Sequence, residues 1–234
     1  MKYKRIMLKI SGEVLGDGKG HGIDTKALKK IAEEIRRLQK EKVQVAMVVG
    51  GGNLWRYRDT QESGIERTTS DYMGMLATVM NGASLQSMLE SNGTFCRVCT
   101  ALDLPQVAEP YLRRKAIRHL EKGRVVICAG GTGNPYFTTD TAAALRALEL
   151  NCDVLLKATK VNGVYTADPE KNPKAKRYDH LTYEEAIQKN LKIMDQTAFS
   201  LCREGKMKII VFNMHEKDAI LRAAKGEKIG TLIA

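Results

Sequence analysis

The apolar run "RIMLKI" carries one internal lysine, Lys9, and is followed at once by Ser11 and Gly12. A second run, "VQVAMVV", opens into Gly50, Gly51 and Gly52, with Arg56 a helical turn beyond them. Successive glycines let backbone N–H groups converge on an anion at a helix start, and a cation from a neighbouring loop completes the charge. The stretch "AGGTGNPYFTTDTAA", residues 129–143, runs from glycines through hydroxyls into a helix-forming segment, yet lacks the lysine of a phosphate-binding loop. Two carboxylates complete the set: Asp71 in "TTSDYMGM" and Asp140 in "FTTDTAA", each at the start of a helical pattern. A carboxylate there either caps free N–H groups or holds a lysine where phosphoryl charge builds up. Taken singly, Lys9 reads as a solvent-facing lysine at a strand end and the glycines as a tight turn. Taken together, these residues point to phosphoryl transfer, which asks of a protein mostly positioning and electrostatic stabilisation.

Two nucleotide fingerprints are absent from the sequence. Gly-Lys occurs only at Gly18-Lys19 and Gly205-Lys206, neither followed by Ser or Thr, and there is no G-x-G-x-x-G. A P-loop enzyme and a typical dinucleotide-binding protein are thereby excluded. No Ser-His or Cys-His arrangement argues for a covalent intermediate.

A regular frame has to hold these dispersed residues, and the hydrophobic pattern supplies it. Apolar runs at 5–10, 43–49, 124–129, 153–158 and 208–213 read as buried strands, with "TFCRVCT" a further strand-like run. Between them Leu28, Ile31, Ile35 and Leu38 fall on one helical face, and Met73, Leu76, Ala77, Met80, Leu85 and Met88 mark a second helix. That Met-rich face reads as core or as a subunit interface. Further helices are expected near 110–122 and 140–150, and one long polar connection at 166–182. Strands alternating with helices predict an α/β protein with a mostly parallel sheet and helices on both faces. Ligands in such sheets bind beyond the carboxyl ends of the strands, where the glycine-rich segments lie.

Bulk properties narrow the classes. The chain has 234 residues and 43% hydrophobic content, enough for one full core, so a single domain spanning 1–234 is expected. No apolar run approaches the ~20 residues of a bilayer span, and "MKYKRIMLKISGE" lacks a signal-peptide cleavage pattern, so a cytoplasmic protein without membrane attachment is expected. The net charge of +11 favours anionic partners. The basic residues are nevertheless interspersed with Glu in the helix near residue 30, and no aromatic-rich basic module accompanies them, which argues against nucleic acid as the main partner. Cys96 and Cys99 lie three apart in a strand-like run, so they point to opposite faces and read as buried small hydrophobes, as do Cys128, Cys152 and Cys202.

The segments "KISGE", "GGGN..R", "DYMGMLATVMN", "GTGNPYFTTD", "LKATKVNGVYTADP" and "VFNM" occur in this order. Together they resemble the bacterial uridylate kinases, a branch of the amino acid kinase family, over residues 4–233. The resemblance implies a three-layer α/β/α sandwich, the amino acid kinase fold, and direct transfer of the ATP γ-phosphate to UMP, in pyrimidine nucleotide biosynthesis. It implies Mg²⁺ bound mainly through the ATP phosphates, with no metal-ligating side chain, and a homohexamer. Some relatives are activated by GTP or inhibited by UTP, and the effector loop would fall at 17–22. By the same resemblance Lys9 is catalytic and Asp140 orients it. Lys9, Ile10, Ser11, Gly12, Gly52, Arg56, Thr159, Tyr165 and Asp168 would hold ATP. UMP would lie against Gly51, Asp71, Thr132, Gly133, Asn134, Pro135, Tyr136, Phe137, Thr138 and Thr139. The N-terminal part would then be mainly the acceptor side and the C-terminal part mainly the ATP side. The chain departs from the usual family pattern in having Tyr57 where Gly follows the arginine, the bulky Trp55, and Asn162 in place of Asp.

Other readings remain at this level. One is a family kinase acting on a carboxylate or carbamate; another is a nucleotide-sensing regulator that uses its positive charge on nucleic acid. The second glycine-rich segment and Asp71 favour a nucleotide acceptor, and Lys9 with Asp140 favours an enzyme over a sensor.

Overall fold

The computed structural model describes residues 1–57, 64–169 and 171–234, so Glu170 of the polar connection lies outside the described residues. Among the described residues nine strands form one sheet in the order β4-β3-β5-β2-β1-β6-β8-β9-β7. They are β1 (Arg5–Ile10), β2 (Gln44–Val49), β3 (Cys96–Thr100), β4 (Glu109–Pro110), β5 (Val125–Ala129), β6 (Val154–Thr159), β7 (His180–Leu181), β8 (Ile209–Asn213) and β9 (Gly230–Ile233). All neighbouring pairs run parallel except β8 and β9. Seven α-helices accompany them among the described residues: α1 (Thr25–Lys40), α2 (Arg67–Ser91), α3 (Arg113–Glu121), α4 (Thr139–Glu149), α5 (Tyr183–Gln188), α6 (Gln196–Glu204) and α7 (Ala219–Lys225).

The alternation of side chains along each strand sorts the core into two layers. Ile6, Leu8 and Ile10 of β1 pack with Val45, Met47 and Val49 of β2 and with Leu28, Ile31, Ile35 and Leu38 of α1. Met7 of β1 packs on the other face with Val48, Leu155 and the alanines Ala142, Ala143, Ala144 and Ala147 of α4. Small side chains on α4 let its axis lie close to the sheet, which matters because α4 carries Asp140. Cys96 belongs to the first layer and Cys99 to the second, as their spacing predicts.

The Met-rich stretch divides. Met75, Ala77 and Leu85 are buried in α2, whereas Tyr72, Leu76 and Met80, one helical turn apart from each other, face outward, Met80 being 56% exposed. Helical periodicity identifies the helix but does not say how many sides of it this chain covers. Three helices and the strands β4, β7 and β9 carry no expectation above. The start of α5 had a readable signal: Thr182 accepts from Glu185 N while Glu185 accepts from Thr182 N, a complete capping box.

Candidate active site

Lys9 occupies the fifth position of β1, on the same side as Met7 and hence on the α4 side. In the parallel pairing of β1 with β6, Lys9 stands opposite Lys157. Both ammonium groups therefore project toward the first turn of α4, and Asp140 meets them there. Lys9 Nζ lies 2.7 Å from Asp140 Oδ1, and Lys157 Nζ lies 2.6 Å from Oδ2. Lys157 also donates to the Ile193 carbonyl at 2.6 Å. The three side chains are between 12% and 15% exposed, so the cluster sits at the edge of the cleft, largely out of water.

Burial alone would raise the Asp140 pKa, but the Lys9 and Lys157 charges outweigh it and hold the carboxyl below its ordinary range. Lys157 goes down: burial, reinforced by the Lys9 charge, exceeds the pull of Asp140. Asp140 thus stays ionised at neutral pH as the counter-ion of the two ammonium groups.

Neither aspartate is a helix cap. Thr138 is the N-cap of α4 and its hydroxyl accepts from Asp140 N and Thr141 N. Asp71 lies in the second turn of α2, whose first residue is Arg67. The capping alternative fails for both, since a hydroxyl already takes the free N–H groups in α4 and Asp71 is too far into its helix. Asp195, the N-cap of α6, accepts from the Thr138 hydroxyl and from the Thr141 hydroxyl at 2.9 and 3.0 Å. The start of α4 is thereby anchored to α6.

A cleft of about 500 Å³ opens beside this cluster, lined among others by Ser11, Gly12, Gly51, Gly52, Arg56, Asp71, Thr132, Asn134, Phe137, Thr138 and Thr139. Of the expected acceptor residues Gly133, Pro135 and Tyr136 stand outside its lining, although the Tyr136 N–H donates to Asp71 at 2.8 Å. Ile10 points into the α1 layer, and its carbonyl accepts from Gly50 N, so it offers the cleft no free side chain. Thr159, at the end of β6, donates its hydroxyl to Val161 O; Tyr165 bridges to Arg177, and Asp168 faces Lys171. None of these three lines the cleft. They sit on the C-terminal side of the sheet, beyond β6.

The two glycine turns interlock. A Cβ at Gly12 would lie 2.6 Å from Gly50 O and from Gly52 N, so only glycine lets the loops after β1 and β2 touch. Gly130 at the end of β5 has φ +73°, and its N–H donates to the Thr78 hydroxyl of α2 at 2.8 Å. Behind the glycines Asn53 and Asn81 exchange amide hydrogen bonds of 3.0 and 2.7 Å, and Asn81 also donates to Gly50 O. Asn53 in turn accepts at its carbonyl from Gly22 N and donates to Gly22 O, which hangs loop 17–22 on the same turn. A second cavity of about 340 Å³, lined by Asp17, Lys160, Met214 and His215 among others, lies across Glu13 from the cleft.

Sequence reasoning passed over Lys157, Glu13, Asn81 and Asp195. The signal for Lys157 was present: one charged residue inside the otherwise apolar "DVLLKA", matching Lys9 in "RIMLKI". Glu13 contacts Arg56 at 3.3 Å and Lys160 at 3.1 Å, a pairing that only the folded loops create. The described residues contain no group of three or more potential metal-ligating side chains, and no helix among them is long and apolar enough to cross a membrane.

The family model described as amino acid kinase family matches residues 4–213. Among solved structures, a UMP kinase from Bacillus anthracis superposes with a TM-score of 0.96 at 40% identity, over 100% of this chain and 96% of that one. A UMP kinase from Ureaplasma parvum gives 0.95 at 36% identity with both chains fully covered. A uridylate kinase from Archaeoglobus fulgidus gives 0.77 at 31%, again over both full lengths.

Proposed function

The chain belongs to the amino acid kinase family, and on that premise we propose that it is a UMP kinase, moving the γ-phosphoryl group of ATP onto UMP by direct in-line transfer. The observation that carries the reading is the Lys9–Asp140–Lys157 cluster at the carboxyl ends of two adjacent strands, beside a cleft with a carboxylate on its far wall. In the transition state negative charge spreads over the oxygens of the transferred group, and two ammonium groups fixed by one carboxylate meet it without reorganising. The N–H groups of the interlocked glycine turns take the neighbouring phosphates, and Arg56 adds charge from the rim.

UMP lies between Asp71 and residues 132–139, with ATP on the β6 side near Thr159, Tyr165 and Asp168. This divides one domain into an N-terminal acceptor side and a C-terminal donor side. The carboxylates around the cleft are engaged by Lys9, Lys157, Arg67 and Arg56, which fits a magnesium ion carried in on the triphosphate. When bound it supplies neutralisation of phosphate charge. The outward stripe of Tyr72, Leu76 and Met80 supports assembly with further copies into a hexamer, and loop 17–22, hung on Asn53 beside the glycine turns, is the place for a GTP response, with UTP inhibition as a second expected regulation. A cytoplasmic location accords with five buried free cysteines.

The test is ADP release with a panel of nucleoside monophosphates. UMP should exceed CMP by at least about tenfold in kcat/KM, since a site that pairs uracil leaves a buried group mismatched with cytosine at a cost of ~1–3 kcal/mol. Equal values would remove base readout, and no turnover with any monophosphate would remove the kinase reading. Light scattering should give a mass well above one chain; a monomer at micromolar concentration would contradict the assembly.

A further inference from the structure

Trp55 and Tyr57 both tie the Arg56 loop to the first turns of α2. The Trp55 indole N–H donates to the Ser70 hydroxyl at 2.9 Å. The Tyr57 ring lies 4.3 Å from the Arg67 guanidinium carbon, and the Tyr136 ring lies 5.4 Å from it. Arg67 thus has one aromatic ring from the loop after β2 and another from the loop after β5. Its Nε donates to both oxygens of Asp71, at 3.0 and 2.8 Å, and the Tyr136 N–H donates to the second of them. Tyr136 is held at φ 69°, a left-handed conformation unusual for a residue with a side chain.

We propose that Tyr57, Arg67 and Tyr136 form a stacked latch over the acceptor end of the cleft, and that Tyr57 is a positioning residue setting the affinity for the nucleoside monophosphate. The inference rests on the UMP kinase reading, because it gives Asp71 the ribose hydroxyls to accept. Two donors, the Arg67 Nε–H and the Tyr136 N–H, fix the Asp71 carboxylate through three contacts, at the wall of the cleft. The Arg67 guanidinium spans the gap between two loops that have no covalent connection near the site. It is a planar cation able to stack on ring faces while its edge bonds a carboxylate. Asp71, through its hydrogen bonds, pushes the Arg67 guanidinium above its ordinary value, so the latch keeps its charge through the working pH range. Removing the Tyr57 ring would leave Arg67 attached to Asp71 but free the Arg56 loop from it. Acceptor binding would then have to hold the loop over Arg67 with only the Trp55–Ser70 bond to help.

The variants Tyr57→Gly and Tyr57→Phe separate the ring from the hydroxyl. Steady-state kinetics on the purified full chain should show KM for UMP raised about fivefold in Tyr57→Gly, the size of one partly exposed cation–π contact. The effect should fall on KM for UMP rather than on kcat or on KM for ATP. Tyr57→Phe keeps the ring and should return KM to the wild-type value. Trp55 is the only tryptophan of the chain, so its fluorescence gives a second readout on the same strap. UMP should shift its emission in the wild type at a concentration about fivefold lower than in Tyr57→Gly. A wild type that fails to phosphorylate UMP overturns the UMP reading and the latch with it. An active wild type with an unchanged KM and unchanged titration midpoint in Tyr57→Gly overturns the latch alone. A rise in KM in both variants also overturns it, because the phenol hydroxyl rather than ring stacking would then be responsible.

Discussion

The reaction centre beside the cleft and the rim of the cleft are built from the same kind of contact, cations against carboxylates and rings, yet on different supports. Lys9 and Lys157 stand on neighbouring strands of a close-packed sheet, and the three groups of the cluster are at most 15% exposed. Arg67, whose side chain is 41% exposed, connects an exposed ring and two loops. Geometry at the centre is set by hydrogen-bonded strands and cannot drift. Geometry at the rim is set by side chains that must hold each other, so it is adjustable and suited to admitting and retaining a substrate.

Substitutions at the centre should therefore strike kcat, and the largest effect is expected at Asp140. Asp140→Asn leaves two ammonium groups without their counter-ion, and kcat should fall by about 10² to 10³. Stability should fall by roughly 2–3 kcal/mol, somewhat below the cost of breaking a fully buried pair because the cleft admits water. An Asp140→Asn enzyme with normal turnover in the nucleotide assay would show that the centre is structural.

Lys9→Ala should lower kcat by about 10² with only a modest change in stability, since Lys157 still neutralises Asp140. Stability unchanged and turnover unchanged would remove Lys9 from the reaction and weaken the contrast between centre and rim.

The acid side sharpens the contrast further. The folded-state pKa of Asp140 is lowered, so its carboxylate contributes stability that is fully present above the ordinary value of 3.8 and is lost as pH falls through the folded value. The stability gap between wild type and Asp140→Asn, measured by denaturant titration, should be constant above about pH 5 and shrink below pH 3.8. On the alkaline side the lowered Lys157 value implies that kcat declines before pH 10.5 is reached, as that ammonium loses its proton. A flat kcat up to pH 10.5 would contradict the role given to Lys157.

The smallest effect is expected at the support of the centre. Thr138→Ala removes the α4 cap and a donor to Asp195, and should cost about 1 kcal/mol in thermal unfolding while lowering kcat only a few-fold. A loss of turnover as large as that of Lys9→Ala would mean that the start of α4 positions Asp140 more delicately than the strand pair does.

Much of this was legible before the fold was known. The strand runs around Lys9, Gly50 and Lys157 are apolar, bounded and in the alternating order that yields parallel pairs, so the frame and the loops at its carboxyl ends could be read directly. The weak elements were not: β4 and β7 contain two residues each, and β9 returns antiparallel, giving no periodic signal to read. Within the site, Lys9 and Asp140 were visible through their motifs. Lys157 showed as the one charge in an apolar run, but that it meets Lys9 and Asp140 is decided by register between strands far apart in sequence, which local pattern does not encode. Arg67 was hidden for a related reason: it looks like an ordinary helix-start arginine until the loop bearing Tyr136 folds beside it.

The pairing of Lys9 with Lys157 across two parallel strands also bears on which changes of length the chain can tolerate. One residue added or deleted within β1 or β6 would turn every following side chain to the opposite layer and carry one ammonium away from Asp140 into the α1 side of the sheet. The same insertion at the exposed residues 171–174 of the polar connection would be absorbed at the surface. Tolerance to insertion should thus be lowest along two six-residue strands, one of them near the start of the sequence, and a deletion scan would locate the reaction centre without any ligand being bound.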